Sequence, residues 1–130
     1  MEGRYRDFTE LDVWKMAHEL RLKINILASF LPKDEKYGVG SQIKRSAPSV
    51  CANIAEGHGR FHYQENIQYC RQARGSLDET RDHLIYIRDA GMIKKVSSVD
   101  HLIELCKQIK MKLNGYIAYL KKCKLDDNSH

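Results

Sequence analysis

Four stretches of this chain repeat apolar residues at intervals of three and four, and each is closed by a proline, a glycine or a polar run. A repeat of that kind follows the 3.6-residue turn of an α-helix and buries one face of it. The first stretch predicts a helix from Thr9, a cap residue with Glu10 in the first turn, to about Phe30. Leu11, Trp14, Ala17, Leu20, Ile24, Leu27 and Leu31 form its stripe, and Pro32 stops it because the residue before a proline avoids the helical region. The second stretch starts between Asp34 and Tyr37 and ends near Glu56, with Val39, Ile43, Ala47, Val50 and Ile54 inward. Pro48 in its middle predicts a kink within one helix rather than two helices, and Gly57-His58-Gly59 predicts its end through a left-handed turn. The third runs from about His62 to Ala90, with Tyr69, Cys70, Ala73, Leu77, Thr80, Leu84 and Ile87 in one arc and Gly91 as its cap. The fourth begins at Ser97 or Ser98, where Ser97 and Asp100 are spaced as a capping pair. Leu102, Leu105, Ile109, Leu113, Tyr116 and Leu120 carry its stripe to about Lys124, and the remainder reads as a frayed tail over 125–130.

No run alternates apolar and polar residues as a strand with a partner would, and two prolines with eight glycines are too few for the turns of a β-sandwich. A length of 130 residues accommodates one domain. The expectation is therefore all-α: an antiparallel up-down-up-down four-helix bundle, a single domain over 1–130 with its ordered core at about 8–124. No segment approaches the roughly 20 apolar residues of a membrane span. The charged start, with Glu2, Arg4, Arg6 and Asp7, lacks the apolar core of a signal peptide. Both observations predict a soluble, cytoplasmic chain. Cys51, Cys70, Cys106 and Cys123 show no zinc-finger spacing and lie in helical segments, so they read as reduced, structural residues, with no metal.

Catalytic patterns are sparse. His18, His58, His62, His83, His101 and His130 pair with no carboxylate or cysteine at the spacing of a nucleophile or metal motif, and no Gly-rich phosphate loop is present. Glu56, His58, His62 and Glu65 could meet at the corner between the second and third helices, the one place for a hydrolytic cluster. The reading is nonetheless of a chain that is not an enzyme and needs no cofactor. Gly75 falls in the middle of the third helix, where glycine costs about 1 kcal/mol against alanine. It implies a closely approaching backbone, either inside the monomer or from a neighbouring subunit. Ser46, Ala47, Ser49, Ala52 and Ala55 thin the second helix in the same way.

Charge is distributed unevenly. The chain carries a net charge of +5 and a pI near 9.0, and between His101 and Lys124 six lysines face a single acid, Glu104. Lys107, Lys110 and Lys121 fall within about 60° of one another beside Asn114. On the third helix Arg74, Arg81 and Arg88 recur every seven residues, with Asp78 and Asp82 close enough to pair with them locally. Lys44, Arg45 and Arg60 lie on or just after the second helix. Such runs are either solvated faces or the footprint of a polyanion, and lysines repeated along a helix neutralise successive phosphates without reading bases.

Taken together, Phe8 to Ala17 with Trp14, Tyr37-Gly38 leading to Gln42–Ser49, Asn53-Ile54-Ala55-Glu56-Gly57-His58-Gly59-Arg60, and Ala73-Arg74-Gly75-Ser76 through Glu79 resemble one family. It is that of the small four-helix-bundle proteins encoded in intervening sequences of bacterial 23S ribosomal RNA genes, and the likeness spans roughly residues 5 to 122. The resemblance implies a homopentameric ring with a basic surface and no established enzymatic activity. A related branch serves as the accessory protein of diversity-generating retroelements, where the pentamer partners a reverse transcriptase and its template RNA. The sequence departs from the family pattern at Pro48, which predicts a locally bent surface around Lys44 and Arg45. Among the motif residues Asn53, Glu56, Gly57, Arg60 and Gly75, an Asn53–Glu56–Arg60 hydrogen-bond cluster is expected to clamp the corner between helices two and three.

The functional expectation is a non-catalytic, ring-forming accessory protein that binds RNA or DNA with little sequence preference. Lys44, Arg45, Arg74, Lys107, Lys110 and Lys121 are its candidate phosphate contacts. The alternative is a protein–protein scaffold that docks a reverse transcriptase.

Overall fold

The computed structural model describes residues 7–128. Four helices account for most of them: α1 (Asp12–Ala28), α2 (Val39–His58), α3 (Tyr63–Asp89) and α4 (Val96–Asn128), with short 3-10 turns at Phe8–Glu10 and Lys33–Glu35. No strand occurs among the described residues. The stripes form one core. Leu20, Ile24, Ile43, Ile54, Leu77, Leu84, Ile109 and Leu113 are all sealed from solvent, each burial stabilising by roughly 1.5–3 kcal/mol. Val13, Ile67, Val99, Ile103, Cys106 and Ile117 join them from positions flanking the expected stripes. Trp14, Leu31 and Tyr116 pack at its edge rather than inside it.

Neighbours in the ring of helices are α1–α2, α2–α3, α3–α4 and α4–α1, and the diagonal pairs make no comparable approach. Cross-links show the direction of each seam. On α3 and α4, Gln64 meets Lys124, Arg74 meets Asn114, Asp78 meets Lys110 and Arg88 meets Asp100, so one number falls as the other rises. Ser49 with Ser76 and Ser46 with Thr80 mark an antiparallel α2–α3 seam, and Asp12 with Lys112 and Lys23 with His101 mark an antiparallel α1–α4 seam.

Several helix ends differ from the sequence expectation. Thr9 does not cap α1; it sits in the first 3-10 turn, donating its hydroxyl to Asp7, and α1 starts at Asp12 after extended Leu11. Pro48 lies within one continuous helix. At the end of α2, Gly59 has φ −76°, so no left-handed turn forms there. Gly57 serves a different purpose: a Cβ on it would stand 2.6 Å from Asn66 Oδ1 and 2.8 Å from Tyr69 Cβ, so its bareness is what lets α3 close against α2. Gly91 does take the left-handed conformation, φ 69°, and the Met92 and Gly91 N–H groups return to Ile87 and Arg88 carbonyls at 3.2 and 3.1 Å. α4 begins at Val96, which places Ser97 and Asp100 inside the helix rather than in a capping pair, and Ser98 instead bonds back to the Lys95 carbonyl. At its far end α4 continues through Asn128, past the expected start of the tail, because neither proline nor glycine occurs between Leu125 and Asn128 and adding residues to a formed helix costs little. The last two tail positions, 129 and 130, lie outside the described residues, as do Glu2, Arg4 and Arg6.

Candidate nucleic-acid interface

Positions seven apart on a helix return to nearly the same face, two turns on. Arg74, Arg81 and Arg88 therefore make one row on α3, and Asp100, Lys107, Asn114 and Lys121 make another on α4. The antiparallel register brings the rows edge to edge. Arg74 donates to Asn114 Oδ1 at 2.9 Å, and Arg88 donates to Asp100 Oδ1 at 3.0 Å and to Asp89 at 2.9 Å. Those carboxylates, Asp89 first, hold the Arg88 guanidinium above its ordinary pKa. Between the rows Lys110 lies across both oxygens of Asp78, at 3.0 and 3.1 Å. At the α3 N-terminal end, Lys124 reaches Gln64 Oε1 at 2.6 Å.

The six candidate phosphate contacts thus divide. Lys44, Lys107 and Lys121 are exposed and make no ion pair or hydrogen bond among the described residues. Arg45 is also exposed, resting on Ser41 Oγ at 3.2 Å. Arg74 and Lys110 are half-buried and engaged within the chain, which makes them the struts of the seam. The expected local pairing of Arg74 and Arg81 with Asp78 and Asp82 does not form, because Asp78 turns across to α4. Lys44 and Arg45 sit on α2, apart from the α3–α4 seam, so the cations do not converge on one patch. Sequence reasoning passed over Arg81 and Asn114 as site residues; their heptad spacing was visible, but the register that pairs them was not.

The corner between α2 and α3 is clamped differently from the expectation. Arg60 donates to Tyr69 Oη at 2.6 Å and to Glu56 at 3.4 Å, and its guanidinium lies 4.9 Å from the centre of the Tyr69 ring. Asn53 takes no part; its amide donates to the Ser49 carbonyl and hydroxyl at 2.9 and 3.1 Å, one turn back along α2. Tyr69, on α3, supplies the contact that Asn53 is too far along α2 to make. No hydrogen bond or ion pair joins Glu56, His58, His62 and Glu65 to one another. Among the described residues no group of His, Cys, Asp and Glu is arranged to hold a metal ion. Burial pushes the Cys70 and Cys106 thiols up to about 12 and raises that of Cys51, so these three are poor nucleophiles.

Gly75 also departs from expectation. A Cβ there would meet nothing within 4 Å, so no backbone of the same chain approaches it, and it stands exposed on the outer side of α3. Large apolar side chains are also exposed away from the seam: Leu22 and Ile26 at 54 and 61 % on α1, Phe30 at 71 % just past its end, and Met111 at 74 % on α4. No helix among the described residues is long and apolar enough to cross a membrane.

The same four-helix arrangement occurs in a crystal structure of a protein of unknown function from the S23 ribosomal protein family of Bacteroides thetaiotaomicron, with a TM-score of 0.74. The two are 23 % identical, and the likeness covers 81 % of this chain and 97 % of that one. No curated protein matches the chain. The 23S rRNA-intervening sequence protein family matches residues 9–115, which hold the first three helices, the motifs around Trp14, Asn53 and Gly75, and the α4 row as far as Asn114. This chain belongs to the family of 23S rRNA-intervening sequence proteins.

Proposed function

We propose that the protein is a non-catalytic, cytoplasmic accessory factor that assembles into a ring, as its resemblance to pentameric relatives implies, and binds RNA or DNA through its basic helical surface. The observation that carries the reading is the pair Lys107 and Lys121 on the α4 row, exposed and unanswered by any carboxylate among the described residues. They stand about 21 Å apart along the helix, a spacing over which a strand can be followed but not read. Lys44 and Arg45 add exposed charge on α2. In a ring each surface is repeated by every subunit, and the exposed Leu22, Ile26, Phe30 and Met111 support burial against another protein surface. Those same side chains favour the second reading, a scaffold that docks a reverse transcriptase.

Charge reversal separates the readings. Lys44→Glu, Lys107→Glu and Lys121→Glu combined should reduce affinity for a mixed-sequence RNA by about a hundredfold or more, with light scattering unchanged. Unaltered RNA binding by that variant contradicts the first reading. RNA binding seen only when a reverse transcriptase copurifies favours the second.

A further inference from the structure

The α3 arginine row leaves one rung unanswered. Arg74 ends on Asn114 and Arg88 on Asp100, but the same register sets Arg81 opposite Lys107, a cation against a cation. Arg81 is half-buried, and its Nε is shut away from solvent without any hydrogen-bond acceptor. Lys107 is exposed and unpaired. The acid nearest in register, Asp78, is already occupied through both oxygens by Lys110. A buried donor with no acceptor is costly, more so on a charged group, and two facing cations add repulsion. What the rung lacks is an anion with several acceptor oxygens.

Resting on the nucleic-acid reading above, we propose that the Arg81–Lys107 rung is a phosphate seat, filled by one backbone phosphate of the bound strand. Arg81 brings a planar fork whose two terminal Nη groups bond two phosphate oxygens side by side, and Lys107 closes on the phosphate from α4 as a point charge. A repeating polyanion suits the position better than a single carboxylate. Lys121 continues the row from Lys107, and the register sets apolar Ile67 opposite it, so further phosphates meet further unanswered charge.

The test uses the full chain, inorganic phosphate and a mixed-sequence single-stranded RNA. Phosphate should raise the melting temperature of the parent protein above that in sodium chloride of equal ionic strength, and should not do so for Arg81→Gln. Lys107→Asp should melt higher than the parent, because its carboxylate answers Arg81 as Asp100 answers Arg88, and should lose the response to phosphate. Arg81→Gln should weaken RNA binding by about tenfold or more and make the salt slope shallower by about 0.7. Arg81→Lys, which keeps the charge and removes the fork, should weaken it by less, and Lys44→Gln, away from the seam, by less still. If Arg81→Gln binds RNA no worse than Lys44→Gln, the seat is overturned while the basic-surface reading stands. If phosphate protects through Arg81 but no form binds RNA, the seat holds a free phosphate group and the nucleic-acid source is overturned. An Arg81→Gln chain that binds RNA normally yet no longer assembles assigns Arg81 to a carboxylate of another subunit and overturns the proposal.

Discussion

Helix α3 is flanked by two antiparallel seams built on different chemistry. Against α2 it presents short, neutral side chains: Ser76 meets Ser49 at 2.9 Å, and Thr80 Oγ1 donates to Ser46 Oγ, with Ser46 and Thr80 both buried. Gly57 lets the two backbones draw together beside Asn66. Against α4 it presents long charged side chains, Arg74, Asp78, Arg81 and Arg88, at a half-exposed rim. Short hydroxyls at a buried contact satisfy one another and leave no volume for a third party, so the α2 seam holds the fold in register. Long side chains at a wet rim gain little from each other and rearrange at low cost, so the α4 seam is open to a ligand.

The largest way to break this contrast is at Gly57. Gly57→Ala forces a Cβ into Asn66 and Tyr69 and should destabilise the fold by about 1–3 kcal/mol in denaturant unfolding. Gly75→Ala, on the outer side of α3 with open space around it, should stabilise by about 0.5–1 kcal/mol, the helix-propensity gain alone. Next in size is Thr80→Val, which removes the bond to Ser46 and leaves that buried hydroxyl only its 3.4 Å bond to the Ile43 carbonyl, at about 1–2 kcal/mol. Adding Ser46→Ala should recover part of that loss, since a seam with both partners apolar has no half-satisfied hydroxyl. Smallest is Asp78→Asn on the α4 side. The pair it weakens is 49 and 39 % exposed, so unfolding should change by at most about 1 kcal/mol. The same change frees Lys110 and should strengthen RNA binding. Should Asp78→Asn prove as damaging as Thr80→Val, the two seams would be alike and the contrast would fail.

Periodicity carried the fold class because burying a helix face leaves its mark at every third or fourth residue, and the predicted stripe of α2, Val39 to Ile54, is buried throughout. Gly91 was readable for a related reason, since a left-handed turn selects glycine at one place. Features set by contacts between helices were not readable. The spacing of Asn53, Glu56 and Arg60 suggested a cluster, yet the partner that completes it is Tyr69 on the next helix. Along the chain Gly57 reads as part of a helix end and Gly75 as the point of close approach, and only the packing of α3 against α2 shows that the close approach is at Gly57. For the candidate interface, the basic residues were visible one by one. Which of them are struts, like Lys110, and which are free, like Lys107, depends on a register that no single helix encodes.

The proposed function rests on unanswered positive charge meeting a polyanion, and the direct measurement is RNA affinity as a function of sodium chloride. Each phosphate engaged on a single strand should contribute about −0.7 to the slope of log affinity against log salt. The Arg81–Lys107 rung and Lys121, one phosphate each, therefore predict a slope of about −1.4 per subunit engaged, the same for RNAs of unrelated sequence. A flat response to salt, or no binding at low salt, would contradict the account.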